Sequence, residues 1–326
     1  MSETLDPTDR EICAALLRNG RASWRLIARA TGIQERTVAR RGSRLLEQQL
    51  LRVKALAQPH LVGRGEATFA RIACRPGATR EVARWLALRN EALWVATVSD
   101  GAAVIAECYL RPEDRSDFIE EALGKQPVTD FSFLPIAHFH RTVRGWNPNI
   151  LTEEQLDHLG ESEFRALTAA DDPPPLDPTD RDIIRLLEVD GRRSIETIAA
   201  ELGLAKPTVR KRIAHMQRTD NVSIRAVVEP ALLGFPNEVL VTARARQSAL
   251  TGIGERIAEN WHARWVAEIP AGSEVRATLT LGEQTELRDV LRDLDEHCGN
   301  GLTDLTATPI LRHTKRSDVV LTDGAF

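Results

Sequence analysis

Two short segments hold the residues best suited to do chemistry. Thr37, Arg40, Arg41 and Arg44 recur within TVARRGSR, and Lys206, Thr208, Lys211, Arg212 and His215 within KPTVRKRIAH. At 100° per residue each set gathers on one side of a helix, predicted over 34–47 and 205–218. The other side carries Val38 and Leu45, or Val209, Ile213 and Met216. No acid falls between Lys206 and Arg218, and only Glu35 and Glu47 flank the first set. Exposed helices ordinarily mix both signs, so faces of one sign point to a polyanion. Guanidinium groups pair with phosphate or bridge guanine O6 and N7, and threonine reaches base edges; the chemistry indicated is recognition of double-stranded DNA. Gly42 stands where the second segment has Ile213. A helix-interior glycine costs roughly 1 kcal/mol relative to alanine and fills no space, so the first helix is expected to be the looser reader.

Other chemistries find less support. There is no nucleophile–base–orienter set, phosphate-binding loop or pair of catalytic carboxylates, and no Cys13, Cys74, Cys108 or Cys298 lies at metal-ligand spacing. The expectation is therefore a protein that is not an enzyme, with no cofactor and no metal. His138, His140 and His313 lie near the ends of predicted strands. The four cysteines sit in or beside apolar stretches and read as reduced packing residues.

The elements that must position the basic faces come from a repeat. LDPTDR occurs at Leu5–Arg10 and again at Leu176–Arg181, and the 171-residue offset holds without a gap from Leu5 to Gly63, with 21 identities in 59 pairs. It still pairs Trp94 with Trp265 and Gly101 with Gly272; by Thr129 and Thr303 it has grown to 174. In each LDPTDR the first Asp suits an N-cap, the Pro the first helical turn, and the second Asp the positive end of the helix dipole. Ser23 and Ser194 are predicted to cap a second helix, which Gly32 and Gly203 end. Alternating apolar residues after the third helix read as a strand or hairpin, completing a winged helix-turn-helix. The pattern that follows is β-α-β-β-α-β, the ferredoxin-like order. One face of such a sheet is covered by its own helices, and the other is expected to pair with the second copy.

The predicted fold class is α+β, with two winged helix-turn-helix and two ferredoxin-like domains in tandem. The boundaries are 1–58 and 65–142 for the first copy, 143–175 for an acidic linker ending in Pro173-Pro174-Pro175, 176–229 and 236–316 for the second copy, and 317–326 for a tail. A short helix is expected to start at Thr152. The formal net charge of −4 says little about partners; the distribution of charge says more. No run approaches the ~18 apolar residues of a membrane span, and the N-terminus does not read as a signal peptide, so a cytoplasmic protein with no membrane association is expected.

LDPTDRDIIRLLEVDGRRSIETIAAELGLAKPTVRKRI, then VVEPALLG and β-α-β-β-α-β, resembles the Lrp/AsnC family of bacterial and archaeal transcription regulators. LDPTDREICAALLRNGRASWRLIARATGIQERTVARR resembles it more weakly. The resemblance implies DNA binding by the helix-turn-helix units. It further implies C-terminal domains that pair through their sheets and sense small effectors, often amino acids, and a homo-oligomer or, here, an intramolecular pseudo-dimer. The effector loop implied lies at Ser99, Asp100 and Gly101, and at Ala271, Gly272 and Glu274; the family's Gly-x-Tyr-Asp is absent, and only Glu274 keeps an acid. Two alternatives share the scaffold. One is an enzyme similar to sirohaem decarboxylases, with His138, His140 and His313 as its candidates. The other is an effector-binding protein with impaired DNA binding.

Overall fold

The computed structural model describes residues 4–160, 174–298 and 301–321. The first copy runs α1 (Pro7–Arg18), α2 (Trp24–Thr31), α3 (Glu35–Glu47), β1 (Leu51–Ala57), β2 (Glu66–Cys74), α4 (Thr79–Ala87), β3 (Ala92–Val98) and β4 (Ala103–Leu110). It continues with α5 (112–125, a succession of α, π and 3-10 turns), β5 (Val128–Pro135) and β6 (His138–Arg141). A short helix α6 (Glu153–His158) precedes the second copy: α7 (Pro178–Val189), α8 (Ile195–Leu202), α9 (Lys206–Arg218), β7 (Val222–Val228) and β8 (Asn237–Ala245). Then come α10 (Leu250–Glu259), β9 (Ala263–Ile269), β10 (Glu274–Leu281), α11 (Gln284–His297), β11 (Leu302–Arg316) and β12 (Val319–Val320). The fold is α+β, with winged helix-turn-helix and ferredoxin-like parts each present twice. These sort into two units, one from the described parts of 4–63 and 147–233, the other from those of 64–146 and 234–321.

In the first unit the Asp6 carboxylate accepts the Asp9 N–H at 3.1 Å. Asp177 and Asp180 exchange backbone and side-chain hydrogen bonds in a full capping box. Ser23 and Ser194 cap α2 and α8, which end on Gly32 and Gly203 at φ 75° and 65°. Strands β1 and β7 pair antiparallel with Lys54 opposite Arg225, its own counterpart 171 residues on. A pseudo-two-fold axis therefore passes through that pair. It relates the carbonyls of Gly191 and Arg193, which accept from the Arg21 guanidinium, to those of Gly20 and Ala22, which accept from Arg192. Helix α1 packs on β7 and α7 on β1. A Cβ on Gly20 would lie 2.7 Å from the Ile224 carbonyl oxygen, and one on Gly191 2.9 Å from the Lys54 nitrogen. The crossing is too close for a side chain on either copy.

The expected linker, 143–175, is corrected in part. Trp146 is buried in the second unit, whereas Leu151 and Leu159 are buried in the first. Thr152 caps α6 with a capping box, and the Leu159 carbonyl accepts from Asn19 at 3.0 Å. An apolar residue on each side of a short amphipathic turn ties this stretch down. Residues 161–173, which include Glu161, Glu163, Asp171, Asp172 and Pro173, lie outside the described residues.

The second unit contains two antiparallel sheets, β5-β2-β4-β3 and β11-β8-β10-β9, joined because β11 runs on to pair with β3 and β6 pairs with β9. Each copy's last strand thus crosses to the other copy's edge strand and closes it. The helices cover one side of each sheet with separate cores. Between the sheets Phe69, Trp94, Ala96 and Ile105 meet Leu240, Trp265, Ala267 and Ile269. The rings of Trp94 and Trp265 lie 5.6 Å apart, with Phe69 about 6 Å from both. The expected tail, 317–326, is also corrected: Asp318 takes ion pairs from Arg64 at 2.6 Å and Lys315 at 2.8 Å, and β12 pairs with β11. Residues 322–326 lie outside the described residues.

Candidate nucleic-acid interface

Burial of Val38 and Leu45 on α3, and of Val209, Ile213 and Met216 on α9, fixes which side of each third helix faces outward. Counting 100° per residue from Val209, Arg212 lies 60° away, at the margin of the buried stripe, whereas Lys211, Ala214 and Arg218 lie near the outward pole. The geometry follows this count. Arg212 Nη1 reaches Asp177 at 2.7 Å and Asp180 at 2.8 Å. Its counterpart Arg41 pairs with Asp6, and with Asp9 at 3.0 Å, and Arg44 pairs with Asp9 as well. The acids of LDPTDR therefore cap helix one and tether helix three in both copies. The Asp180 N–H first, and then Arg212, hold the Asp177 carboxyl below the usual carboxylate range.

The remaining sites of the basic faces are open. Arg40, Thr208, Lys211 and His215 are exposed and Thr37 is half-buried. Lys206 is exposed and pairs with Glu196 at 3.1 Å. Arg36, Arg210 and Arg218 are exposed too and join these faces. The helical count contained them: Arg36 and Arg218 fall close to the outward pole and Arg210 on the flank opposite Thr208. With Arg41 and Arg212 engaged inward, the outward cations are Arg36 and Arg40 on α3, against Lys206, Arg210, Lys211 and Arg218 on α9.

The expected looseness of α3 is corrected. A Cβ on Gly42 would sit 2.5 Å from the Trp24 ring, so the indole occupies the space an isoleucine fills in the second copy. There Ile195 stands at the Trp24 position and Ile213 at the Gly42 position. The Arg192 guanidinium lies over the Trp24 ring, 4.3 Å from its centroid. Gly42 is thus one half of a matched pair.

The effector-loop residues are placed as follows. The Ser99 N–H donates to the Pro309 carbonyl, Asp100 accepts from Arg71 at 3.2 Å, and Gly101 turns at φ 70°. Ala271 and Gly272 form the corresponding turn. Glu274 is buried and pairs with Arg276 at 2.6 Å, and the Arg276 guanidinium lies 4.2 Å from the Phe69 ring centroid. Between the sheets Glu107, fully buried, accepts from Trp94 Nε1 at 2.8 Å, Trp265 Nε1 at 2.7 Å and the Tyr109 hydroxyl at 2.6 Å. Burial pushes its carboxyl up despite the three donors. His140 Nε2 lies 3.2 Å from Glu268, and His313 Nε2 lies 3.4 Å from Glu238, which also takes Arg316. Among the described residues no three potential ligands converge on a metal site, and no helix is long and apolar enough to cross a membrane.

Comparison with known proteins matches this geometry. The AsnC-type helix-turn-helix domain fits residues 5–46 and again 176–217. The chain thus carries two AsnC-type helix-turn-helix domains in tandem, the arrangement of a tandem Lrp/AsnC form. An HTH-type transcriptional regulator of Pyrococcus horikoshii, FL11, is 24% identical over 86 residues, covering 26% of this chain and 57% of that protein. The tandem chain therefore spans just over half the length of that relative. An uncharacterized HTH-type transcriptional regulator of Pyrococcus furiosus, PF1231, is 28% identical over 119 residues, 36% of this chain and 80% of the relative. Among solved structures the siroheme decarboxylase NirDL superposes with a TM-score of 0.62, covering 94% of this chain and 92% of its own at 12% identity. That identity makes the likeness one of fold. It still corrects the expectation, drawn from missing catalytic sets, that this protein is not an enzyme: an enzyme is built on the same two-module scaffold.

Proposed function

We propose that this tandem Lrp/AsnC protein is a sequence-specific, DNA-binding transcription regulator. Its two helix-turn-helix units form an intrachain pseudo-dimer that responds to a small effector such as an amino acid or a related molecule. One observation carries the reading: both third helices keep an outward cationic face after Arg41, Arg44 and Arg212 are engaged by the acids of helix one. Arg36, Arg40, Lys206, Arg210, Lys211 and Arg218 are the groups offered to phosphate and base edges, with Thr37, Thr208 and His215 beside them. The faces differ in composition, so the operator is an imperfect palindrome. The test is a gel shift with the upstream region of the protein's own gene across a salt series. Arg210→Ala with Lys211→Ala should reduce the slope of log K against log salt by about 2, near one for each phosphate no longer neutralised. An unchanged slope refutes the groove assignment.

The fold likeness favours a second reading, decarboxylation of a sirohaem-like tetrapyrrole, with His138, His140 and His313 as its titratable groups. Carbon dioxide release from sirohaem by the purified protein would establish it, and turnover that survives Arg210→Ala with Lys211→Ala would separate it from DNA binding.

A further inference from the structure

The loops expected to hold an effector spend both their acids on arginines, Asp100 on Arg71 and Glu274 on Arg276. A better-formed recess lies on the helical side of the second ferredoxin-like domain. It is a cleft of about 470 Å³ where α10 ends and α11 passes, lined by Glu259, Trp261, His262, Glu286, Asp289 and Asp293 together with Arg256. The residues 286, 289 and 293 recur at helical spacing and so share one side of α11. Four carboxylates meet two guanidinium groups: Arg256 pairs with Glu259 and Asp293 at 3.0 Å each and Arg292 with Asp289 at 2.9 Å, while Glu286 accepts the Gly282 N–H at 2.9 Å. The carboxyl end of α10 adds the negative pole of its dipole at the same place.

Two further features point to an organic cation. His262 is only 8% exposed, and its Nδ1 lies 3.0 Å from the Thr280 carbonyl oxygen, which can only accept. In the neutral ring the proton therefore sits on Nδ1 and Nε2 is left as an acceptor, on a side chain that lines the cleft. Trp261, half-buried and stacked 3.8 Å from the His262 ring, supplies an aromatic wall of the kind that attracts ammonium groups. The acids do not converge on one point as a metal would need. Spread carboxylates, an acceptor nitrogen and an indole suit a ligand whose positive charges are themselves spread.

We infer that this cleft binds a small aliphatic di- or polyamine, and that this amine is the effector; only the second part rests on the regulatory reading. Its carboxylates repel the carboxylate of a free amino acid, so zwitterions bind more weakly. The experiment is calorimetric titration of the full-length chain with 1,4-diaminobutane and spermidine at fixed ionic strength, with magnesium chloride and glutamate as controls. Saturable binding of the amines is expected, with no competition from either control. It should weaken about tenfold in Glu259→Gln with Asp289→Asn, two exposed positions whose loss leaves the core intact. Trp261→Leu should weaken it as well. Absence of saturable binding, an affinity unchanged in the double variant, or equal displacement by magnesium overturns the site. Amine binding that leaves operator affinity unchanged overturns the effector role. Amine binding by a protein that shifts no DNA overturns the regulatory reading and leaves the site standing.

Discussion

The Trp24–Gly42 pair allows a stability experiment whose control is written into the same chain. The first copy places an indole over a glycine, whereas the second places Ile195 and Ile213 at the equivalent positions. Gly42→Ile must expel the indole. A fully buried tryptophan costs roughly 3–5 kcal/mol to remove, so this half-buried one costs about 2. Losing the Arg192 stack adds about 0.5–1 kcal/mol. Replacing glycine within a helix returns about 0.5 kcal/mol, so the net loss is about 2. Trp24→Ile alone leaves the glycine facing a void and should cost about 2 kcal/mol as well. Together the substitutions recreate the second copy's packing, and the double variant should unfold within about 1 kcal/mol of the parent, a coupling of roughly 3. Urea unfolding followed by circular dichroism reads all three values. Additive losses, or a silent Gly42→Ile, would refute the claim that indole and glycine are one packing unit.

Other outcomes follow from the same geometry. Arg212→Ala should loosen α9 against α7 and lower the melting temperature of the first unit, and Arg41→Ala should do the same for α3; a variant that changes only DNA affinity would show the tethers to be idle. Because Asp177 has a lower pKa folded than unfolded, its contribution is complete well above its unfolded value near 4 and is lost as pH falls through the folded value. Asp177→Asn should therefore flatten the acid limb of a stability–pH curve and leave its neutral limb sloped as before. Burial pushes the Glu238 carboxyl up, but Arg316, His313 and Arg264 overcome this and hold it far below the usual range, so the second unit should lose stability in the same direction below about pH 4. Gly191→Ala should part β1 from α7 and cost more than about 1 kcal/mol, since its Cβ would press on strand backbone; near-neutral unfolding energies would contradict the close crossing. Glu107→Gln turns one of its acceptors into a donor facing indole or hydroxyl protons and should cost roughly 1–3 kcal/mol in thermal unfolding.

Much of the architecture was legible because a long duplication supplies its own register. The third helices lie within one residue of the ranges that apolar spacing and the paired glycines indicate. The β-α-β-β-α-β order expected of each ferredoxin-like part is the order observed. The crossing arms were not legible. HFHR and RHTKR alternate charged or imidazole groups with little that is apolar, and their burial depends on carboxylates such as Glu268 and Glu238 far away in sequence. The roles of Arg41 and Arg212 were hidden for a related reason. A side chain 60° from the buried stripe points outward or inward according to whether an acid on another helix reaches it. LDPTDR held those acids, but its fit to capping already accounted for them. Gly42 misled because a local propensity argument has no access to the ring that fills the gap.

The carboxylate of Glu107 has a consequence for the ancestry of the chain. It serves an indole from each half, and the corresponding position of the second half is Thr278, which carries no charge. Two first halves brought together would bury two acids side by side; two second halves would bury two indole N–H groups with no carboxylate to share. Neither half remains an adequate partner for its own kind. What began as a duplication has become a division of labour that no single deletion can reverse. Halves of this chain expressed as separate polypeptides should find each other and leave their like unpaired.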